Sequence, residues 1–290
     1  MDETEIIRRF FARGSQREDV TLAIGDDAAA VRVPERHELV SAMDTLVADV
    51  HFPAAMAAHE IGHRTLAVNL SDFAAMAAQP AWALLSLSLP QADESWLQSF
   101  SDGFFELADE YDVALIGGDL VSGPLAATVT LLGHAPQGSL IRRSGARAGD
   151  ALYVTGRPGA ALASDYLRRP EPRVVEGLSL RGVASAMIDI SDGLLTDTRR
   201  LAESSGVCIT LDAGALAEVV EGDLLAAICG GDDYELLFTA PEGQTAAVTG
   251  IGADRGCGVR RIGQVGEGQG VVLPGHDPDR LAGYDHFSKT

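Results

Sequence analysis

Asn69 to Ala78, reading NLSDFAAMAA, sets a single carboxylate, Asp72, inside a run of small and apolar residues. An ionised carboxylate is costly in such surroundings unless positive charge meets it. A fold that contains this stretch must therefore bring a cation or a basic group to Asp72. Four further acidic turns read as its partners: Gly25-Asp26-Asp27, Met43-Asp44-Thr45, Gly117-Gly118-Asp119 and Asp189-Ile190-Ser191-Asp192. Magnesium takes oxygen ligands in a near-octahedral shell, and carboxylates on short stiff turns supply them. Taken singly, each acid is equally a turn or helix-cap aspartate. As a set, Asp27, Asp44, Asp72, Asp119 and Asp189 point to magnesium and a nucleotide. The glycines at 25, 117, 118 and 193 would let backbone N–H groups approach phosphate.

The charge balance narrows the partners. A formal net charge of -20 argues against a nucleic-acid backbone or an anionic membrane surface. Lysine occurs once, at Lys289, so neither a Walker P-loop nor a kinase-type lysine is present. Phosphate must be held by arginine, backbone N–H groups or metal. Cys208, Cys229 and Cys257 are widely spaced and odd in number, which gives no disulfide framework and fits a reduced, cytoplasmic setting. The start, MDETEIIRRFF, is acidic and amphipathic rather than a signal peptide, and no apolar run is long enough to span a bilayer.

The 290 residues are enough for one large domain or two ordinary ones. Ile6, Ile7, Phe10 and Phe11 predict a helix over 3–13. Strands are expected at 20–24, 29–33, 38–43, 82–89, 113–116 and 126–133, with a helical pattern over 57–78 that breaks in two near Asn69. Asp93 to Tyr111 reads as an amphipathic helix. In this reading Asp44 and Gly117-Gly118-Asp119 follow strand ends, where a fixed backbone can present a carboxylate to a crevice. The Gly-, Ser- and Arg-rich stretch 134–149 marks a boundary, giving domains 1–138 and 139–290. The second half reads as strands at 151–155, 187–189, 207–211 and 235–239, helices near 159–168, 177–186 and 194–204, and a terminal hairpin over 259–274. Mixed strands and helices in both halves give an α/β or α+β class.

Three local motifs carry alternatives. Ser191-Asp192-Gly193-Leu194 stands where a strand turns into a helix, a place that binds anions or is simply capped. Arg142-Arg143-Ser144-Gly145 offers a guanidinium fork for phosphate, or a solvated linker charge. His59-Glu60-Ile61-Gly62-His63 matches the H-E-x-x-H zinc pattern on a helix, but no third ligand follows, and a chance match is the better reading.

With these residues in hand, the chain resembles the thiamine-monophosphate kinases, within the superfamily of aminoimidazole ribonucleotide synthetase. The resemblance rests on GDDAA at 25–29, DTLVADVHF at 44–52, NLSDFAAMAA at 69–78, GGD at 117–119, RSGARAGD at 143–150, DISDGL at 189–194, GGDDYELLFT at 230–239 and GYDHF at 283–287. It implies a two-domain α/β fold whose N-terminal domains pair into a homodimer through a shared β-barrel. It also implies transfer of the γ-phosphoryl of ATP to thiamine monophosphate with several Mg2+ ions. By the same resemblance, Asp27, Asp44, Asp72, Asp119, Asp189 and Asp192 are metal ligands. Gly118, Asp119, Arg143 and Ser191 touch ATP, and His51, Asp232 and Tyr284 meet thiamine monophosphate. No nucleophilic Ser, Cys or Lys is expected, because the acceptor is a phosphate oxygen already ionised at neutral pH.

Three departures from the family pattern stand out. Ala42 and Met43 replace the hydroxyl residues usual before Asp44. Asp232 stands where Glu is usual, and the segment between Leu211 and Gly230 is shortened. Other ATP-dependent synthetases of the superfamily remain an alternative. Selenophosphate synthetase is disfavoured by the lack of a Cys in the N-terminal segment, and the hydrogenase-maturation relative by the lack of a C-terminal Cys.

Overall fold

A computed structural model describes residues 1–13, 17–255, 257–284 and 287. The chain forms two compact units, one of residues 1–73 and 78–138, the other of residues 74–77 and 139–290.

In the first unit, α1 (Glu3–Ile6) is capped by the Asp2 side chain and runs into a π-helical turn, Ile7–Phe11, that buries Phe10 and Phe11. The short pair β1 (Val20–Leu22) and β2 (Ala30–Val31) flanks the Gly25-Asp26-Asp27 turn. Then come β3 (His37–Val47), α2 (Ala58–Ala75), β4 (Gln79–Leu89), α3 (Glu94–Glu110), β5 (Ala114–Ser122) and β6 (Ala126–Pro136). The sheet order is β3-β6-β4-β5, so β3 and β5 are its two edges and the sheet does not close on itself. Only β4 and β5 are parallel, as a crossover through α3 requires. Asp93 caps α3 by accepting from Trp96 N at 2.7 Å, and Leu97, Phe100, Phe104 and Leu107 bury its apolar face. Helices α2 and α3 pack with backbones nearly touching: a Cβ on Gly62 would lie 2.0 Å from Phe100 O, and one on Gly103 2.0 Å from His59 O.

The second unit contains β7 (Asp150–Thr155), α4 (Ala160–Ala163), α5 (Val174–Ser179), β8 (Ala186–Asp189), α6 (Leu194–Ser205), β9 (Cys208–Leu211), α7 (Ala213–Val219), α8 (Leu224–Cys229), β10 (Leu236–Pro241), α9 (Thr245–Arg255), β11 (Val259–Gly266) and β12 (Gly270–Val272). Its six strands run β12-β9-β11-β7-β10-β8, antiparallel except for β12 beside β9. Every residue of β7 is buried, as a central strand covered on both faces demands. Its core is aliphatic, drawn from Leu152, Ile188, Leu194, Leu201, Ile209, Leu237 and Ile262 among others.

Several expectations are corrected. Strand β3 does not stop before Asp44 but carries it at mid-strand, and Gly117-Gly118-Asp119 lies inside β5 rather than after it. One unbroken helix, α2, passes through Asn69. The terminal hairpin is absent: β11 and β12 pair with opposite sides of β9, not with each other. The helix expected over 177–186 falls at Val174–Ser179, and α7, α8 and α9 come from stretches with no helix expected.

Candidate functional site

The first unit's candidate residues sit on β3, α2 and β5, with Asp27 in the turn between β1 and β2 and His51 in the loop after β3. Asp44 lies in a row across the sheet, Asp44–Val129–Leu85–Gly118, and Asp119 in the neighbouring row Thr45–Thr128–Ser86–Asp119. Gly118 is needed for this register. Its φ is +153°, and a Cβ there would stand 1.8 Å from Leu85 O. Asp44 donates its N–H to the Asn69 side-chain oxygen at 3.1 Å, and Asn69 is held in turn by donating to Thr65 O at 3.1 Å. Asn69 and Asp72 are three residues apart on α2, so the helix sets both toward the same side. Asn69 is buried and Asp72 half-buried. Asp27, Gly118 and Asp119 line a cleft of about 1120 Å³, together with Met43, Ser86 and Thr128. His51 accepts the Val47 N–H on Nδ1 at 3.0 Å, which leaves Nε2 to carry the proton of the neutral ring.

In the second unit, β8 delivers Asp189, 4% exposed, into the turn Ile190–Gly193. Asp197, on the first turn of α6 and fully buried, accepts from Ser191 N and Asp192 N, each at 3.1 Å. Burial, with the Asp189 charge beside it, pushes the Asp197 carboxyl up to about 7. Arg200 opposes this by reaching both Asp197, at 2.7 Å, and Asp192, at 2.5 Å. Asp189, Asp192 and Asp197 thus share one turn with a single paired guanidinium, Arg200. Ser191 O accepts from Asp232 N at 2.8 Å and Asp192 O from Tyr284 N at 3.1 Å, so Asp189, Ser191, Asp192, Asp232 and Tyr284 gather around one turn. Asp192 and Tyr284 also line a cavity of about 440 Å³ with Thr196, Arg199 and Arg200. Arg143 is exposed, on a turn whose Arg143 O and Gly145 N both bond the Ser205 hydroxyl. Asp285 and His286 of the GYDHF motif, and Lys289, lie outside the described residues.

Among the described residues, no three His, Cys, Asp or Glu side chains stand close enough together to hold a metal ion. The donor chemistry still suits Mg2+, since every candidate ligand is a carboxylate. HEIGH serves packing. Gly62 is pressed against Phe100, and His59 Nε2 lies 3.2 Å from Glu106 Oε2.

Sequence reasoning missed five residues here: Asp197, Arg200, Arg173, Asp233 and Glu235. Arg173 grips Glu235 with two bonds of 2.8 and 2.7 Å, both groups being buried or nearly so. The run Asp232–Glu235 in apolar surroundings held the available signal, because three acids in four residues require such partners.

Comparison with known proteins places the chain in a family. The AIR synthase related protein N-terminal domain matches residues 25–135, and the AIR synthase related protein C-terminal domain matches residues 151–275. The thiamine-monophosphate kinase of Escherichia coli is 41% identical, over 99% of this chain and 98% of that protein. The crystal structure of thiamine-monophosphate kinase from Stenotrophomonas maltophilia has a TM-score of 0.86 at 41% identity, covering 95% of this chain and 98% of the other. AaThiL complexed with AMPPCP and TMP has a TM-score of 0.77 at 29% identity, covering 91% and 92%. No described helix is long and apolar enough to cross a membrane.

Proposed function

This chain belongs to the thiamine-monophosphate kinase family of AIR synthase related proteins, and on that footing we propose that it transfers the γ-phosphoryl group of ATP to thiamine monophosphate, forming thiamine diphosphate and ADP. The observation that carries this reading is likeness from end to end: 41% identity across 99% of the chain. A solved relative is in complex with AMPPCP and TMP.

The residues divide the work. Asp27, Asp44, Asp72 and Asp119 in the first unit, with Asp189 and Asp192 in the second, are assigned to several Mg2+ ions. The close grouping of the Asp189, Asp192 and Asp197 carboxylates around one turn supports the second unit's share of this assignment. Bound Mg2+ would supply charge neutralisation between two polyanionic reactants. Gly118, Asp119, Arg143 and Ser191 are assigned to ATP. The positive φ of Gly118 leaves backbone bare of side chain, and Arg143 brings an exposed guanidinium in a chain poor in basic groups. His51, Asp232 and Tyr284 are assigned to thiamine monophosphate, with Nε2–H of His51 as a donor suited to a phosphate oxygen. The attacking oxygen is already ionised, so the protein positions reactants and needs no general base.

Residues 1–138 would then hold metal and ATP and make the dimer, and 139–290 would complete the nucleotide and substrate site. A homodimer that closes the open sheet into a barrel with its copy fits Leu39, Met43 and Val121, exposed at 56%, 65% and 46% on the edge strands β3 and β5. Three free thiols fit a cytoplasmic enzyme.

The test is product identity. The protein, ATP and Mg2+ are incubated with thiamine monophosphate, or with thiamine as control, and the products separated. Thiamine diphosphate and ADP in equal amounts, from the monophosphate alone, are expected. ATP consumption without thiamine diphosphate would refute the assignment.

A further inference from the structure

The segment 232–235 alternates in hand. Asp232 and Tyr234 both have positive φ, +70° and +53°, although neither is glycine. A side-chain-bearing residue stays in that region only when its surroundings hold it there. On one side, Asp232 N donates to Ser191 O at 2.8 Å and Tyr234 N to Ile190 O at 2.9 Å. Between them Asp233 turns the other way. Its two carboxylate oxygens accept from Gly159 N at 2.7 Å and Ala161 N at 3.0 Å.

Those donors belong to the turn after β7 and the start of α4, and that stretch is shaped to receive the segment. At Gly159, with φ of +87°, a Cβ would lie 2.5 Å from the Ala227 Cβ. At Gly156, with φ of +58°, a Cβ would lie 2.0 Å from the Glu235 carboxylate. The Thr155 hydroxyl donates to Glu235 Oε2 at 2.6 Å, and Arg173 clamps the same carboxylate. Turn and segment are thus a fitted pair joined at two carboxylates. Accepting from two backbone N–H groups through two separate oxygens is what an ionised carboxylate does best, since an amide offers one acceptor oxygen and a protonated acid only a weakened second. The arrangement is also costly. Burial drives the Asp233 carboxyl up to about 7, against the pull of the two N–H donors, with Glu235 and Asp232 adding to the rise.

We infer that Asp233 is a positioning residue for the acceptor: its carboxylate clasps the 156–161 turn and so fixes Asp232 in the left-handed conformation from which the Asp232 side chain meets thiamine monophosphate. The inference rests on the assignment of Asp232 to that substrate. It also gives the shortened acid at 232 a mechanical partner. With one fewer rotatable bond than Glu, an Asp has its carboxylate placed more directly by the backbone, so fixing the backbone fixes the acid.

The test compares Asp233→Ala and Asp233→Asn with the unchanged enzyme, measuring KM for thiamine monophosphate, KM for ATP and the thermal midpoint. Losing charge-assisted hydrogen bonds of this kind raises KM for thiamine monophosphate by about tenfold or more in Asp233→Ala. The KM for ATP stays within about twofold, as a change confined to acceptor binding requires. Asp233→Asn, which keeps one acceptor oxygen, falls between the two and remains measurable if the alanine variant does not fold. An unchanged acceptor KM in either folded variant overturns the inference, and so does an equal rise in both KM values. The unchanged enzyme separates the two readings. If it makes no thiamine diphosphate, the substrate assignment itself fails. If it makes product and the variants match it, only the clasp fails.

Discussion

Asp72 is the one acid in the small, apolar run Asn69 to Ala78. It is half-buried on α2, one turn from Asn69, whose side chain fixes the Asp44 backbone. Asp72→Asn keeps shape and volume while removing the charge a cation would meet. We expect it to lower turnover by on the order of a hundredfold or more, the scale seen when one preorganised electrostatic contact to the reacting charge is removed. Its thermal midpoint should stay close to that of the unchanged protein. Wild-type turnover in that variant would argue against a metal at this position. The burial of Asp72 and Asp189 was legible in the sequence because an acid among alanines, or after a run such as Met187-Ile188, has no cheap solvated alternative. Asp197 and Arg200 were not legible. On a helix they look like an ordinary i,i+3 surface pair, and only the fold reveals that Asp197 is fully buried and caps two backbone N–H groups.

Among the elements, glycine misled the reading in two ways. Gly117-Gly118 reads as a break, since glycine weakens a strand. Here Gly118 instead permits a close approach to Leu85 and keeps β5 running through Asp119. Gly62 inside HEIGH looked incidental, yet with Gly103 it sets the spacing of α2 and α3. Gly103→Ala must push two backbones apart, at a cost of about 1–3 kcal/mol. A lowered thermal midpoint is therefore expected, and an unchanged one would show that the two helices are not packed backbone to backbone. The long amphipathic α3 was plain from its phenylalanines. Helices α7, α8 and α9 are short or interrupted by Gly250 and Gly252, too brief for a periodic signal. The caps of α7 and α8 were nevertheless written in the sequence: Asp212 accepts from Gly214 N and Ala215 N, and Asp223 from Ala226 N. The partner of β12 escaped because a parallel neighbour lies far away in sequence, and a short apolar run does not say which strand it will join.

For the whole molecule, the two mixed α/β units and the direction of the charge argument could be read from residue order alone, since eight motifs in one order constrain a chain more than any of them singly. The edges of the four-stranded sheet could not, because exposure of Leu39 and Met43 depends on which face the helices cover. A dimer through that face predicts a two-chain mass for the intact protein by analytical ultracentrifugation and a shift toward the single-chain mass in Met43→Asp. A single-chain mass for the unchanged protein would end that proposal. The central claim is that scattered aspartates act through divalent cations holding ATP and thiamine monophosphate together. The most direct measurement is thiamine diphosphate formation as free Mg2+ is removed with a chelator and then restored. The account predicts that turnover vanishes on chelation and returns, more steeply than first order in free Mg2+, when the cation is added back. Turnover that persists under chelation would contradict it.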